Sequence, residues 1–276
     1  MRNAEHTLAL VENFPDSKLN KFTREEWDTQ FHESNVIIHC LGKNIHYPTH
    51  WGPLSIKCAF KGKEYYQKDR CKYAVCEDNF LLLNEGTEYS SYIESGLDVE
   101  SLTVNFNIKY QSEVARTVLS GNDKLLDDPF ITGNRGISVE EKLFSYNPGI
   151  STLIYKIKGL TESFQENTAL INETLYSLLE AVLLNNAGLS NEIKDINAAK
   201  LSTKKEMYRR LNEVKDYIDS CFNEDISLDD LSKIALMSPF HLLRQFKKTI
   251  RSLPTNILPT GGLIVQKIVF CIPIYR

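Results

Sequence analysis

The spacing of apolar residues changes once along this 276-residue chain, from a period of two to a period near 3.6. In the first part Leu54, Ile56, Cys58 and Phe60 alternate with Ser55, Lys57, Ala59 and Lys61, the pattern of a strand with one covered face. Gly62-Lys63 follows as a hairpin turn and Tyr65–Gln67 resumes extended character. Asp78-Asn79 and Asn84-Glu85-Gly86 bracket the apolar run Phe80–Leu83, and Leu102, Val104 and Phe106 alternate again. Short strands separated by polar turns from Asn35 to Asn107 predict an antiparallel barrel or sandwich. After it, Glu113–Leu119 reads as helical and 121–150 is punctuated by Gly, Asp and Pro. Thr161–Asn186 is the longest helical stretch, ended by Ala187-Gly188 and followed by a polar linker over 189–205. Its stripe of Leu170, Ile171, Leu175, Leu178, Leu179, Val182 and Leu183 packs either on its own domain or along a homodimer seam.

Charge divides the chain at nearly the same place. Residues 200–276 carry 13 Lys+Arg against 8 Asp+Glu, whereas the preceding 199 carry 19 against 28, so only the C-terminal quarter is suited to meet a polyanion. A basic solvated helix face accounts for the same numbers. Met1–Phe14 has charges at Arg2, Glu5 and Glu12 and no apolar core, unlike a signal peptide. Leu263–Ile274 is short and carries Gln266 and Lys267, so it does not span a bilayer. The six cysteines form no C-x-x-C pair. These features predict a soluble cytoplasmic protein with reduced thiols and no membrane partner.

The C-terminal part has three readable helices. The first buries Leu211, Val214, Ile218 and Phe222. Ser227 opens the second, with Asp230 placed to complete a capping box. Ser238-Pro239 opens the third, a capping hydroxyl followed by Pro at the first helical position. Two short helices about three residues apart have the spacing of a helix-turn-helix. On the third, Leu242 and Phe246 point to the core, and Phe240, Leu243, Arg244 and Lys247 fall on the opposite stripe. Such a stripe suits a major groove. Arg bridges the guanine acceptors, Phe or Leu packs on thymine methyls, and Ser238, Lys247 and Lys248 fix register on phosphates. His241 lies beside them, able to touch phosphate or to cover the helix end.

The run Leu228-Asp229-Asp230-Leu231-Ser232-Lys233-Ile234-Ala235-Leu236-Met237-Ser238-Pro239-Phe240-His241-Leu242-Leu243-Arg244-Gln245-Phe246-Lys247-Lys248 closely resembles the first helix-turn-helix of AraC/XylS-type transcription regulators. The resemblance implies an α+β chain with three parts. A cupin-like antiparallel β-barrel sensor covers 1–160, a helical dimerisation segment and linker 161–199, and an all-α helix-turn-helix domain 200–276. It implies that Phe240, Leu243 and Arg244 face bases, and that Ser238, His241, Lys247 and Lys248 complete a DNA-binding surface. It also implies a homodimer joined through Leu175, Leu178, Leu179 and Val182, an unidentified small-molecule effector, no cofactor and no catalysis.

The chain departs from that pattern at several points. Ser232 stands where Ala is usual, and Leu236 where Gly is frequent, so an altered turn is expected. The family's domain holds two helix-turn-helix units joined by a long helix, but 68 residues remain from Arg209 onward. Leu253-Pro254-Thr255-Asn256-Ile257-Leu258 echoes the start of the linking helix; Pro259 and Gly261-Gly262 then interrupt it. The expectation is a truncated domain, its DNA binding weakened or abolished by loss of half the phosphate and base contacts. A sensor or dimerisation protein that binds no DNA, acting as a decoy, is the alternative.

In the N-terminal part, Asp78–Tyr89 resembles the cupin-type sensor of such regulators, with Tyr89 at the position of a metal-binding His. No His lies between 51 and 240, so a cupin metal centre or cupin enzyme is disfavoured and no metal is expected. His46-Tyr47-Pro48-Thr49-His50 reads as a surface turn. A redox switch at Cys71 and Cys76 requires exposure and a lowered thiol pKa. Tyr65, Tyr66, Tyr73, Tyr89 and Tyr92 are the aromatic candidates for lining an interior cavity; their directions are open at this stage.

Overall fold

The structure is a computed structural model that describes residues 7–12, 34–119, 137–194, 201–221 and 226–250. The chain is α+β, with strands in the first half and helices dominating the second. The strands are β1 (Thr7–Glu12), β2 (Ser34–Gly42), β3 (Ile45–Gly52), β4 (Leu54–Lys61), β5 (Glu64–Lys68), β6 (Cys71–Val75), β7 (Asn79–Leu83), β8 (Thr87–Ile93), β9 (Val99–Phe106) and β10 (Leu143–Ser145). The helices are α1 (Ile108–Leu119), α2 (Pro148–Thr161), α3 (Phe164–Lys194), α4 (Leu201–Ser220), α5 (Leu228–Ala235) and α6 (Pro239–Ile250). Two compact units form. Of the described residues, one comprises those up to Lys68 together with those within Val75–Ala187; the other comprises Asp69–Ala74 and those from Gly188 to Ile250. Among the described residues no helix is long and apolar enough to cross a membrane.

In the first unit one sheet has the order β1-β2-β9-β4-β7-β10, and a second places β3, β8 and β5 side by side. The expected wholly antiparallel arrangement needs one correction, since β1 runs parallel to β2, Thr7 opposite Ser34. The fourth strand needs another. Alternation in 54–61 suggested one covered and one wet face, yet β4 is buried from Leu54 to Ala59, Lys57 included. It lies between β9 and β7 with Ile56 opposite Val104 on one side and Leu82 on the other. Its polar face looks into the protein instead of out to water. Gly62, at φ +79°, closes the β4–β5 hairpin, where a Cβ would stand 2.7 Å from Val99 Cγ2.

The segment 137–147 is fastened to the sheet by the pairing of β10 with β7 and by side chains on both sides of the joint, Asn84 and Glu141 among them. Asn84 Nδ2 donates to the Val139 carbonyl at 2.8 Å, and its Oδ1 accepts from the Val139 N–H at 2.8 Å. Beside it Glu141 accepts from the Asn84 N–H at 2.8 Å and from the Thr87 hydroxyl, and pairs with Lys68 Nζ at 2.6 Å. Burial alone would raise the Glu141 carboxyl, but the hydrogen bonds of Lys68, Thr87 and Asn84 outweigh it and hold it below the usual range.

Helical boundaries differ from the sequence reading. The stretch expected from Thr161 is α3, which begins at Phe164; before it, across a break at Glu162-Ser163, lies α2, a helix the sequence reading did not mark, capped by Asn147, whose side chain accepts from the Ile150 N–H. α3 runs past Ala187-Gly188 to Lys194, because a glycine inside a helix costs only about 1 kcal/mol. Part of the expected linker is therefore helical, with α4 already under way at Leu201. Leu175, Leu178, Leu179 and Val182, assigned to a dimer seam, are all buried within the first unit. The chain's own packing buries these side chains without a second copy, and among the described side chains of α3 Leu170 (37% exposed) and Leu184 (56%) are the outward-facing leucines. The segment 251–276, on which the interrupted linking helix and the expected truncation fall, and Phe222 lie outside the described residues.

Candidate nucleic-acid interface and inter-sheet cavity

The three helices of the second unit enclose one apolar core, in which Leu211, Val214 and Ile218 of α4 meet Leu231 and Ala235 of α5 and Leu242 and Phe246 of α6. α5 begins as its sequence dictates. The Ser227 hydroxyl oxygen accepts from the Asp230 N–H at 3.1 Å, and the hydroxyl donates to the Asp230 carboxylate. That hydrogen bond, with Lys233 nearby, lowers the pKa of the Asp230 carboxyl. Along α4, Arg209 and Arg210 hydrogen-bond to Glu206, holding its carboxyl at about 2, with the Arg209 bond the larger cause.

The helix-turn-helix connection spans three residues, Leu236, Met237 and Ser238. α5 ends in a Schellman motif, with Met237 N–H donating to Ser232 O at 3.1 Å and Leu236 N–H to Lys233 O at 3.4 Å. Leu236 itself is left-handed at φ 51°, ψ 43°. A side chain pays a steric cost there that glycine does not, and Leu236 is mostly exposed, so its packing returns little. Leu236→Gly is expected to stabilise this unit by about 0.5–1 kcal/mol, read as a rise in urea midpoint at unchanged slope. A lower midpoint would contradict this account of the turn.

α6 starts at Pro239, with the Ser238 hydroxyl 3.4 Å from the His241 N–H. Leu242, Gln245 and Phe246 are buried. Phe240 is 77% exposed, and Ser238, Arg244, Lys247 and Lys248 are exposed as well. The remaining two sequence-selected residues lie otherwise. Leu243 is half-buried at a small cleft with Val214, Leu228 and Leu231, and His241 is half-buried with its Nε2 3.2 Å from Gln245 Nε2. The helix thus brings an aromatic ring, a guanidinium and two ammonium groups to its open side, while the i+1 neighbours of Phe240 and Leu242 turn partly inward.

A second site lies between the inner faces of the two sheets, a cavity of about 40 Å³. β4 contributes Lys57, β5 Glu64 and Tyr66, β8 Tyr89 and Ser91, and β3 His50. Of the five tyrosine candidates, Tyr66 and Tyr89 line it; Tyr65 and Tyr92 stack on each other at 5.1 Å elsewhere on the sheet, and Tyr73 is buried outside the lining. Sequence reasoning missed Lys57 and Glu64, both of which are buried. Lys57 Nζ donates to the Tyr89 hydroxyl at 2.7 Å and stands 4.8 Å from that ring's centroid and 5.7 Å from that of Tyr66. Burial pushes its pKa down to about 7 against the upward pull of the Glu64 charge. Burial likewise raises the Glu64 carboxyl, against hydrogen bonds from Ser101, Ser91 and Tyr66 and the charge of Lys57.

The histidine pair is not on a turn. His46 and His50 both belong to β3, whose pairing with β8 shifts register between Tyr47 and His50. His46 stacks on Tyr92 at 5.8 Å and His50 Nδ1 lies 2.8 Å from the Pro48 carbonyl oxygen. Burial lowers the His50 pKa to about 4. Cys71 is buried and Cys76 half-buried. Among the described residues no cluster of three or more His, Cys, Asp or Glu is placed to hold a metal ion.

No family model matches the chain, and no curated protein matches it. Among solved structures, unsaturated fatty acid-bound wild-type ToxT from Vibrio cholerae is similar at TM-score 0.38 and 12% identity, over 81% of this chain and 95% of that one. Another crystal form of ToxT from Vibrio cholerae gives 0.31 and 11%, over 79% and 96%. CuxR gives 0.32 and 11%, over 79% of this chain and 70% of its own. The solved structures to which the chain is similar thus include an AraC-like transcriptional activator.

Proposed function

We propose that the chain is a DNA-binding transcription regulator of the AraC type, cytoplasmic, with a cupin-like ligand-sensing unit ahead of its helix-turn-helix unit. The observation that carries this reading is the division of α6. Leu242 and Phe246 fill the core, while Phe240, Arg244, Lys247 and Lys248 stand exposed on a helix that begins right after a three-residue turn. Arg244 reads base edges, Phe240 packs against thymine methyls, and Ser238, Lys247 and Lys248 hold phosphates. His241 and Leu243 border that surface. The inter-sheet cavity is the effector site, and a homodimer forms through the helical segment, with Leu170 and Leu184 the leucines open to a partner.

DNA sequences enriched from a random pool by the full chain, followed by gel-shift titration at several salt concentrations, test this. Arg244→Ala is expected to weaken specific binding by about 10- to 100-fold, equivalent to about 1–3 kcal/mol, and to relax preference at one base pair. Lys247→Ala should weaken all sequences alike and reduce the salt slope by about 1. The half-burial of Leu243 and His241 favours a second reading, a sensor or decoy that binds no DNA. Absence of a shift at micromolar protein and low salt would select it.

A further inference from the structure

The least economical side chain in the first unit is Lys57. It projects from a central strand into a cavity between two sheets, only 4% exposed, and its hydrogen bond goes to a neutral phenol. Glu64, the carboxylate in the same cavity, takes its hydrogen bonds from Ser101, Ser91 and Tyr66 instead. Packing alone would be served better there by an apolar residue, since a buried amine is costly unless directly paired. The cavity's roughly 40 Å³ is room for about three water molecules, and hence for a guest of two to four heavy atoms. His50, half-buried on the irregular stretch of β3, is also part of its lining.

We propose that Lys57 Nζ is a carbonyl-capturing nucleophile that forms a reversible imine with a small aliphatic aldehyde admitted to the cavity. The nitrogen lone pair forms a bond to the carbonyl carbon, and the carbonyl π pair moves to oxygen. The proton leaving nitrogen reaches that oxygen through the Tyr89 hydroxyl, 2.7 Å from Nζ. The carbinolamine hydroxyl then takes a proton through the Tyr89 hydroxyl and leaves as water as the nitrogen lone pair closes the C=N bond, and the resulting iminium N–H returns that proton to give the imine; one water leaves and no electrons are gained or lost. Desolvation supports this chemistry because it keeps much of the amine neutral near pH 7, as solvated lysines are not. Control of DNA binding by the aldehyde rests on the regulator reading above, whereas the capture itself needs only the cavity.

The full chain, treated with propionaldehyde at pH 7 and reduced with cyanoborohydride, is mapped lysine by lysine by peptide mass spectrometry. Lys57 should be alkylated at least about tenfold faster than the exposed Lys247 and Lys248, and the preference should vanish in urea. Labelling of Lys57 no faster than those two overturns the proposal. So does protection against unfolding by propionate with no adduct at Lys57, which marks a non-covalent anion site. The alkylated protein is then assayed for DNA binding. Adduct formation at Lys57 with unchanged DNA affinity defeats the regulatory reading and leaves the capture standing; absence of the adduct defeats the capture whatever the DNA assay returns.

Discussion

Phe246→Ala is expected to unfold the C-terminal helical unit. Phe246 is buried where α6 meets Leu211, Val214 and Ile218 of α4 and Leu231 of α5, so truncation removes the largest side chain of that core and leaves a void. Large-to-small changes of this kind cost about 3–5 kcal/mol. A core built from three helices holds little stability in reserve against such a loss. Far-UV circular dichroism should lose helical signal, and DNA binding should fail with it. Phe240→Ala separates folding from recognition, since Phe240 stands in solvent. Its melting curve should match the parent while its gel shift weakens. A Phe246→Ala midpoint within about 1 kcal/mol of the parent would mean that this core is not what holds the unit.

Lys57→Met should act in the opposite direction and stabilise the protein at neutral pH. The folded pKa of Lys57 is lowered, to about 7, from an unfolded value near 10.4. Above about pH 10.4 the amine is neutral in both states and costs nothing on this account. As pH falls from there to about 7, the unfolded chain takes up a proton that the folded chain does not, and stability is lost over that window. Below it the penalty is constant. Methionine fills similar volume without that penalty, and Glu64 keeps its hydroxyl donors. The variant is expected to gain roughly 2–4 kcal/mol at pH 7 and to converge toward the parent near pH 10, by urea denaturation. A loss of stability at pH 7 would show that Lys57 supports Glu64 more than it burdens the sheet.

The C-terminal unit was the most legible part of the sequence, because its signals are local. Ser227 with Asp230, Ser238 with Pro239, and the 242/246 pair each act within one helical turn, and the helices begin where those residues require. Leu236 was expected to alter the turn, yet α5 ends in an ordinary Schellman motif in which Leu236 takes the left-handed backbone that Gly usually holds. The sheets were legible as strands but not as surfaces. Alternation around Lys57 separates two faces without saying which one meets water, and here the polar face lines an interior. Tyr66 was legible as a lining candidate by its residue type alone, whereas Glu64 carried no signal of its own because β5 brings it to that interior from the opposite sheet. The α3 leucines posed the same problem, since a stripe fits an intrachain core and a dimer seam equally. Parallel pairing of β1 with β2 depends on residues distant in sequence and has no local mark.

The position of β4 determines how its chamber can respond to an occupant. Bonded along both edges, by β9 and by β7, it is the stiff wall, and Lys57 can adapt only by turning its own four-carbon arm. β3 is the compliant wall, an outermost strand whose ladder is already interrupted between Tyr47 and His50. Filling the chamber should therefore register as movement of Pro48 and Thr49, with amide exchange quickening at Thr49 and His50 while the protons of β4 stay slow.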